Sequence, residues 1–358
     1  MPKSENISGG KNLKALLLIL SIPLFIIIFE ILFAVIPIDT FFENRFFILN
    51  RALDYPEVFQ RDENLFWRLR PSQIIESRFF ENNRFKINSL GLRGDEIEPA
   101  SDKIRIVGLG NSCTFGWRTE ENKIYLRQLE KLINSDTTLP QVEIINAGIP
   151  GYTSFQGQRF FIEEISSLKP DLVLMMFGWN DQWASADNIA DKNQDFPPQF
   201  ILNIQDFVSR LKIYRLMRKL ILSTTEKPIA ETLNKTEQVY RVSFEDFYKN
   251  LNSIIQETKN INSIAMILTS PIPSLENYYR PGSKSNMHIF HNYYNEQARL
   301  LAIDTKSALI DAASEFDNYN NLFDDAKIDP IHFNNEGHRI LANQIYLYLK
   351  NNPNLLSK

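Results

Sequence analysis

Two short segments, far apart in the chain, contain residue types that together could break an ester. Residues 108–116, GLGNSCTFG, place Ser112 directly after an apolar run, and a later DPIH segment puts Asp329 three residues before His332. A serine hydroxyl is a weak nucleophile until a base accepts its proton, and histidine is a better base when a carboxylate fixes its tautomer. We therefore expect Ser112 to attack a carbonyl carbon, His332 to move the proton and Asp329 to orient the imidazole.

Alternating apolar runs and helix-like segments surround these residues. The runs that predict strands are 104–109, 142–146, 172–177, 264–268 and 308–310. The segments that predict helices are 123–134, 155–168, 244–258, 292–305 and the stretch from 335 onward. Strands that alternate with helices indicate βαβ units and a parallel sheet with helices on both faces. Five such strands suit a flavodoxin-like strand order.

Polar candidates follow the carboxyl ends of these strands, where ligands bind in open parallel sheets. Gly151 follows the second strand and Asn180 the third. Asp329 and His332 follow the fifth strand, and we expect a helical turn there to bring the two side chains to one side. A tetrahedral intermediate needs fixed donors for its oxyanion. The backbone N–H groups of Ser112 and Gly151 and the side-chain amide of Asn180 are the candidates.

Taken together, these segments resemble the four sequence blocks of the SGNH (GDSL-type) hydrolase superfamily. The blocks are Gly110-Asn111-Ser112 with Thr114 and Gly116, then 146–151, then Gly178-x-Asn180-Asp181, and finally Asp329-x-x-His332 with 333–338. The resemblance covers residues from about 104 to 350. It implies a three-layer α/β/α flavodoxin-like fold, no metal or other cofactor, and ester hydrolysis or acyl transfer. The sequence alone does not separate the two reactions, since both use an acyl-enzyme.

Asn111 departs from the superfamily pattern, which usually has aspartate before the serine. Asparagine is nearly isosteric but uncharged, so it can substitute if the position only makes hydrogen bonds, and activity is reduced if the charge matters. Asn111 is also the one feature that favours a catalytically inactive binding module. We expect Asp181, beside Asn180, to support the site from behind, the alternative being that it only ends the strand.

Several other residues invite a functional interpretation. Cys113, the single cysteine, excludes an intramolecular disulfide, and we expect a small buried residue rather than a thiol nucleophile. His288 and His291 have no neighbouring pattern that completes a metal site, so we expect them on the surface or in a lid. We expect a structural role for His338. Three tryptophans flank the site in sequence and either line a substrate pocket or pack in the core: Trp117, Trp179 and Trp183.

The N-terminal part contains an apolar run at 13–38, long enough to span a bilayer as a helix. Lysines precede the run, and Asp39 and Glu43 follow it, which favours a cytoplasmic N-terminus under the positive-inside rule. Glu30 and Pro23 weaken this interpretation, and a cleaved signal peptide is the alternative. We expect a single-pass protein of the cytoplasmic membrane with its catalytic domain outside.

The predicted organisation is a tail at 1–12, the anchor at 13–38, a lead-in segment at 39–100 packed on the catalytic domain, and a hydrolase domain at 101–358. Within that domain a helical insertion at about 184–236 interrupts the alternation. It contains a basic amphipathic stretch that could rest on anionic lipid, cover the site, bind a partner or simply face solvent.

Net charge limits the partners that fit this sequence. The chain carries a net charge of -4, which argues against nucleic-acid binding. We expect an acylated small molecule, lipid or glycan as substrate, and no oligomeric state is indicated. The leading function is ester hydrolysis, and the alternative is transfer or removal of acyl groups on an envelope or extracellular polysaccharide.

Overall fold

A computed structural model describes most of the chain. The described residues are 8–35, 55–76, 83–99, 102–185, 188–225, 239–273, 287–325 and 329–357. Parts of the predicted segments lie outside these ranges: 1–7 of the tail, 36–38 of the anchor, and 39–54, 77–82 and 100 of the lead-in. In the hydrolase domain, residues 186–187 and 226–236 of the insertion lie outside them, as do 101, 237–238, 274–286, 326–328 and 358.

Strands and helices alternate along the catalytic part of the chain. The strands are β1 Phe59–Asp62, β2 Phe66–Leu69, β3 Gln73–Glu76, β4 Arg84–Ile87, β5 Ile104–Gly110, β6 Val142–Gly148, β7 Leu172–Met176, β8 Ile264–Leu268, β9 Ala308–Ile310, β10 Phe323–Asp325 and β11 Asp329–Phe333. The α-helices are α1 Ser8–Val35, α2 Ser112–Phe115, α3 Tyr125–Ser135, α4 Ser154–Glu163, α5 Gln199–Ser209, α6 Lys212–Thr225, α7 Phe244–Asn260, α8 Met287–Thr305, α9 Ala312–Phe316 and α10 Asn335–Asn351. Short 3-10 turns occur at Glu121–Lys123, Ile165–Leu168, Asp191–Asn193 and Pro353–Leu356.

The central sheet has five strands in the order β6-β5-β7-β8-β9, and each neighbouring pair is parallel. This is the flavodoxin-like order, so the predicted α/β fold with a five-stranded parallel sheet is confirmed. Gly110, the last residue of β5, lies opposite Gly148 of β6 and Met176 of β7. The carboxyl ends of these three strands are therefore level, and the loops that follow them meet at one edge.

Two apolar cores lie on opposite faces of the sheet, because successive side chains of a strand point to opposite sides. Along β5, Ile106 belongs to the core formed with α3 and α10, whereas Val107 and Leu109 belong to the core formed with α4, α7 and α8. Burying each such aliphatic side chain contributes about 1.5–3 kcal/mol. The two cores make the sheet a rigid base for the loops at its edge.

The described lead-in residues form two antiparallel hairpins, β1–β2 and β3–β4. Their buried side chains join the core on the α4 side. Trp67 Nε1 donates to the carbonyl of Pro150 at 3.1 Å, and the Tyr152 hydroxyl donates to the carbonyl of Trp67 at 2.7 Å. The lead-in thus supports the loop that follows β6.

The segment with Asp329 and His332 differs from the expected helical turn. It forms β11, which pairs antiparallel with β10 outside the main sheet. Asp329 Oδ1 accepts the backbone N–H groups of Ile331 and His332, each at 3.2 Å. This local side-chain to backbone pairing bends the segment, so the aspartate and histidine side chains meet without a helix. The helical expectation was wrong.

The described part of the predicted insertion contains α5 and α6. The carboxylate of Glu30, on α1, accepts the backbone N–H of Ile213, in the first turn of α6, at 3.0 Å. Within the described ranges, no helix has both the length and the apolar composition that crossing a membrane requires.

Two glycines in neighbouring strands test how tightly the sheet packs against the serine-bearing turn. A Cβ on Gly148 would lie 2.3 Å from the backbone nitrogen of Phe115 in α2, whereas a Cβ on Gly108 would meet the flexible end of Leu126 at 2.6 Å. We expect Gly148→Ala to lower the free energy of unfolding by about 3 kcal/mol or more, and Gly108→Ala by about 1–2 kcal/mol. Chemical denaturation of both variants measures this difference, and equal losses would contradict the packing described.

Candidate active site

Ser112, His332 and Asp329 form one line of hydrogen bonds at the carboxyl edge of the sheet. Ser112 Oγ lies 2.8 Å from His332 Nε2, and His332 Nδ1 lies 2.7 Å from Asp329 Oδ2. An ionised carboxylate only accepts hydrogen bonds, so Nδ1 carries the imidazole proton. Nε2 is then the acceptor for the Ser112 hydroxyl proton, as a base for this serine must be.

Ser112 is positioned by the one-turn helix α2. Asn111 caps it, because its Oδ1 accepts the backbone N–H of Cys113 at 2.9 Å. At the other end Gly116 adopts φ +84°, a left-handed conformation that glycine takes without strain. The cap needs only a side-chain oxygen, which aspartate or asparagine supplies equally. Among the described residues Asn111 Nδ2 has no acceptor.

Cys113, next to Ser112, has a structural contact. It is buried, and its Sγ donates to the carbonyl of Ile331 at 3.3 Å, which ties α2 to β11. Burial raises the pKa of the Cys113 thiol, so the thiolate is disfavoured. These observations agree with a small structural residue rather than a second nucleophile.

Gly151 and Asn180 lie next to each other on the loops after β6 and β7. Asn180 Nδ2 donates to the carbonyl of Tyr152 at 2.9 Å, and Gly151 adopts φ +86°. The asparagine amide has a second hydrogen, and the backbone N–H of Ser112, at the first position of α2, has no partner within that helix. The geometry brings the predicted oxyanion donors to the same edge as Ser112.

Asp181 ties the loop after β7 to the start of α4. Its Oδ1 accepts the backbone N–H and the hydroxyl of Ser154, and its Oδ2 accepts the backbone N–H of Gly178 at 3.1 Å. Burial raises the pKa of Asp181 to about 6, even though these hydrogen bonds and the Arg241 charge act in the opposite direction. This residue supports the loop that presents Asn180 without facing the reactive serine.

Arg241 and Asp191 form a buried ion pair that the sequence analysis missed. Arg241 Nη2 and Asp191 Oδ2 are 2.8 Å apart, with 2% and 3% of the side chains exposed. Arg241 Nη1 donates to the carbonyl of Gly151 at 2.9 Å, and the Thr153 hydroxyl donates to Asp191 at 2.8 Å. The ion pair therefore stabilises the position of the Gly151 carbonyl. No local sequence pattern predicts this ion pair, because Asp191 and Arg241 are far apart in the chain.

Arg93 is a second buried arginine that the sequence analysis missed. Its Nη1 donates to the carbonyls of Phe115 and Gly116 at 3.0 and 2.8 Å, and its Nη2 donates to the carbonyl of Thr119 at 2.7 Å. Glu121 accepts from its Nε at 2.7 Å. These hydrogen bonds stabilise the C-terminal end of α2, the helix that carries Ser112. Arg93 belongs to the lead-in segment, in which the sequence showed no functional residue.

Trp117 and Arg118 follow α2 and contact His332 and Asp329, respectively. The Trp117 ring stacks on the His332 imidazole, with centroids 5.3 Å apart and planes 19° from parallel. Arg118 Nη1 lies 3.3 Å from Asp329 Oδ2, and its backbone has φ +59°, which is uncommon for a residue with a side chain. The loop after α2 thus packs directly on the histidine and the aspartate.

Comparison with known protein families identifies the family of this chain. Residues 109–340 match the profile of the GDSL-like Lipase/Acylhydrolase family. The chain belongs to this family. It is therefore a hydrolase that acts on esters. No functionally curated protein matches the sequence.

Solved structures with similar folds have low sequence identity to this GDSL-like hydrolase. A lipase/acylhydrolase from Enterococcus faecalis is 20% identical, with a TM-score of 0.45 over 69% of this chain and 96% of that chain. An acetylxylan esterase from Geobacillus stearothermophilus is 17% identical, with a TM-score of 0.45 over 71% and 95%. An alpha/beta hydrolase from the metagenome of Lake Arreo, Spain, is 20% identical, with a TM-score of 0.44 over 72% and 98%.

Two further candidates from the sequence, His291 and His338, are buried in this GDSL-like hydrolase. His291 is buried and stacks on Trp179 with centroids 3.9 Å apart, so the expected surface or lid position was wrong. The Trp179 ring covers the imidazole of His291, and the spacing of residues along the chain does not predict this contact. His338 is also buried and accepts the backbone N–H of Tyr125 at 3.2 Å, and burial lowers its pKa to about 3. The described residues contain no cluster of three or more His, Cys, Asp or Glu side chains able to hold a metal.

Arg241→Lys tests the support behind Gly151. A lysine can still neutralise Asp191, but it cannot also donate to the Gly151 carbonyl through a planar fork. Because a displaced oxyanion donor weakens transition-state binding, we expect kcat on a soluble ester to fall about 10–100-fold with little change in KM. The matched control is Arg299→Lys, which alters a partly exposed pair with Asp311. Equal kinetics for the two variants would contradict this role.

Asp181 makes folding stability depend on pH. Its folded-state pKa of about 6 lies above the ordinary value of 3.8, so the folded state holds a proton that the unfolded chain releases between these values. Its contribution to stability is present below pH 4 and is lost as pH rises through 6. The free energy of unfolding of the wild type relative to Asp181→Asn should fall by about 2 kcal/mol from pH 4 to pH 7. Denaturation at several pH values measures it, and a constant difference would be inconsistent with the raised pKa.

Proposed function

We propose that this protein is a serine esterase in which Ser112, His332 and Asp329 form the catalytic triad. The observation that carries the proposal is the continuous hydrogen-bonded line from Ser112 Oγ through the imidazole to Asp329. Ser112 Oγ attacks the ester carbonyl while His332 Nε2 takes its proton. The alcohol leaves with that proton, and an acyl ester remains on Ser112. His332 then activates water, which releases the carboxylic acid and restores the hydroxyl.

Asp329 suits the task of stabilising the imidazolium that forms in both steps. Burial tends to raise the pKa of Asp329, but the hydrogen bond from His332, the backbone N–H of Ile331 and the nearby Arg118 outweigh it, so the net shift is downward. The carboxylate is therefore ionised at neutral pH. It orients Nδ1 and stabilises the charge that develops on the ring without becoming protonated.

We assign the oxyanion hole to the backbone N–H groups of Ser112 and Gly151 and to Asn180 Nδ2. Their placement on three neighbouring loops supports this assignment, since the oxyanion forms beside Ser112 Oγ. Loss of one such donor typically costs on the order of 3 kcal/mol in the barrier. Asn111 is compatible with activity in this proposal, because its structural contact is a cap that requires no charge.

We further propose that residues 13–38 anchor the protein in the cytoplasmic membrane with the hydrolase domain outside. The apolar composition of the run and the lysines before it support this orientation. The substrates within reach would be acylated lipids or glycans of the cell envelope. If a sugar hydroxyl replaces water in the second step, the same acyl-enzyme transfers its acyl group instead of hydrolysing it.

Ser112→Ala tests the proposal, with Cys113→Ala as the matched control. We expect Ser112→Ala to lose at least about 1,000-fold in p-nitrophenyl acetate hydrolysis and to lose labelling by a fluorophosphonate probe. Cys113→Ala should stay within about 10-fold of wild type, because the thiol is buried and unreactive. Equal rates for the wild type and Ser112→Ala would overturn the proposal. Mass spectrometry with an oligosaccharide acceptor separates transfer from hydrolysis.

A further inference from the structure

Helix α5 has one face that packs on the protein and an opposite face that is apolar and exposed. Leu202 and Asp206 are buried on the first face, and Asp206 pairs with Arg70. The opposite face exposes Phe200, Ile204 and Phe207, with 67% of Phe207 accessible. These three residues recur at spacings of four and three, so they form a single stripe along the helix. An exposed stripe of large apolar side chains is typical of a surface that contacts a membrane or another protein.

Helix α6 continues this exposed surface and adds positive charge. Met217, Leu220 and Ile221 are exposed. From 207 to 225 the chain contains five basic residues and no acidic residue, although the chain as a whole has a net charge of -4. The basic residues are Arg210, Lys212, Arg215, Arg218 and Lys219. A basic helix with an apolar face has the composition of a segment that lies in the interface of an anionic bilayer.

The base of α6 lies against α1, the helix that we propose as the anchor. Glu30, near the end of α1, accepts the backbone N–H of Ile213 at 3.0 Å and so pairs with a donor of the first turn of α6. The described apolar side chains of α1 are largely exposed, including Ile31 and Leu32 beside this contact. The exposed apolar side chains of α6 and of α1 therefore belong to two helices that contact each other.

A cleft at the junction of α5 and α6 is lined by more basic than acidic side chains, and Asp206 pairs with two of them, Arg70 and Arg210. It has a volume of about 400 Å³ and is lined by Arg70, Arg210 and Arg215, together with Glu57. Guanidinium groups bind phosphate oxygens through paired N–H donors.

We propose that α5 and α6 form a membrane-contact surface that binds an anionic phospholipid bilayer. The inference extends the proposed anchoring, since α1 brings the two helices to the same membrane. The apolar stripes enter the interface and the basic side chains contact lipid phosphates. Because α5 packs on β1, and β2 supports the Pro150 carbonyl through Trp67, this contact sets the orientation of the catalytic edge relative to the bilayer.

Site-specific fluorescence in lipid nanodiscs tests the surface with the full chain. An environment-sensitive thiol dye is placed at Phe207→Cys, and the control is Leu347→Cys, an exposed position on α10. The wild type is the labelling blank, because its single cysteine is buried. The discs contain phosphatidylcholine with or without phosphatidylglycerol, and a lipid-attached quencher reports contact with the bilayer.

We expect quenching at position 207 to exceed that at position 347 by at least about threefold in discs with phosphatidylglycerol. Adding Arg210→Glu and Lys219→Glu should remove most of this excess while ester hydrolysis stays unchanged. If the chain co-elutes with the discs but position 207 is quenched no more than position 347, this inference fails and the anchor stands. Failure to co-elute at all overturns both, and loss of ester hydrolysis in the wild type would concern the triad alone.

Discussion

The loops at the carboxyl edge of the sheet expose backbone carbonyls that no strand pairs, and two buried arginines satisfy them. Arg93 donates hydrogen bonds to the carbonyls at the end of α2, and Arg241 donates one to the carbonyl of Gly151. A buried polar group without a partner costs free energy comparable to a lost hydrogen bond, so these loops could not keep their shape without such donors. Asp191 and Glu121 in turn neutralise the two guanidinium groups.

This arrangement explains why segments outside the sheet matter for the site. Arg93 comes from the turn after the β3–β4 hairpin, and Arg241 follows the helical insertion, so each joins the edge from a different part of the chain. The guanidinium fork contacts several acceptors at once, which a lysine does not do. Preorganised donors are effective in catalysis because they need no rearrangement when charge develops. The two buried arginines therefore position the backbone of the proposed oxyanion hole and of the turn that carries Ser112.

Two carboxylates near the edge, the buried Asp181 and the partly buried Asp329, have pKa values shifted in opposite directions. For Asp181 burial is the dominant influence and raises the pKa, since its partners are mainly neutral donors. For Asp329 burial is outweighed by His332 and Arg118, and the pKa is lowered. Carboxylates with opposite shifts have different roles. Asp329 is available as an anion beside the imidazole, whereas Asp181 holds loop backbone in place.

The sequence by itself predicted the five strands of the parallel sheet and most of their boundaries, because runs buried on both faces and helical periodicity are local signals. It also predicted which residues gather at the edge: Ser112, Gly151, Asn180, Asp329 and His332 each follow a strand, and parallel strands end on the same side. It did not predict the conformation of the Asp329 segment, since an aspartate that binds its own backbone has no periodic signature.

Only the tertiary structure decided what supports these residues. Arg93 and Arg241 look like ordinary loop arginines in the sequence, and their acceptors lie elsewhere in the chain. His291 lacks a metal-site pattern, and it is buried where its ring stacks on Trp179 and its Nε2 lies 2.8 Å from the carbonyl of Ser270. Likewise, the stripe on α5 is exposed because its opposite face packs on β1. Such contacts depend on how distant segments meet, and the spacing of residues along the chain does not contain that information.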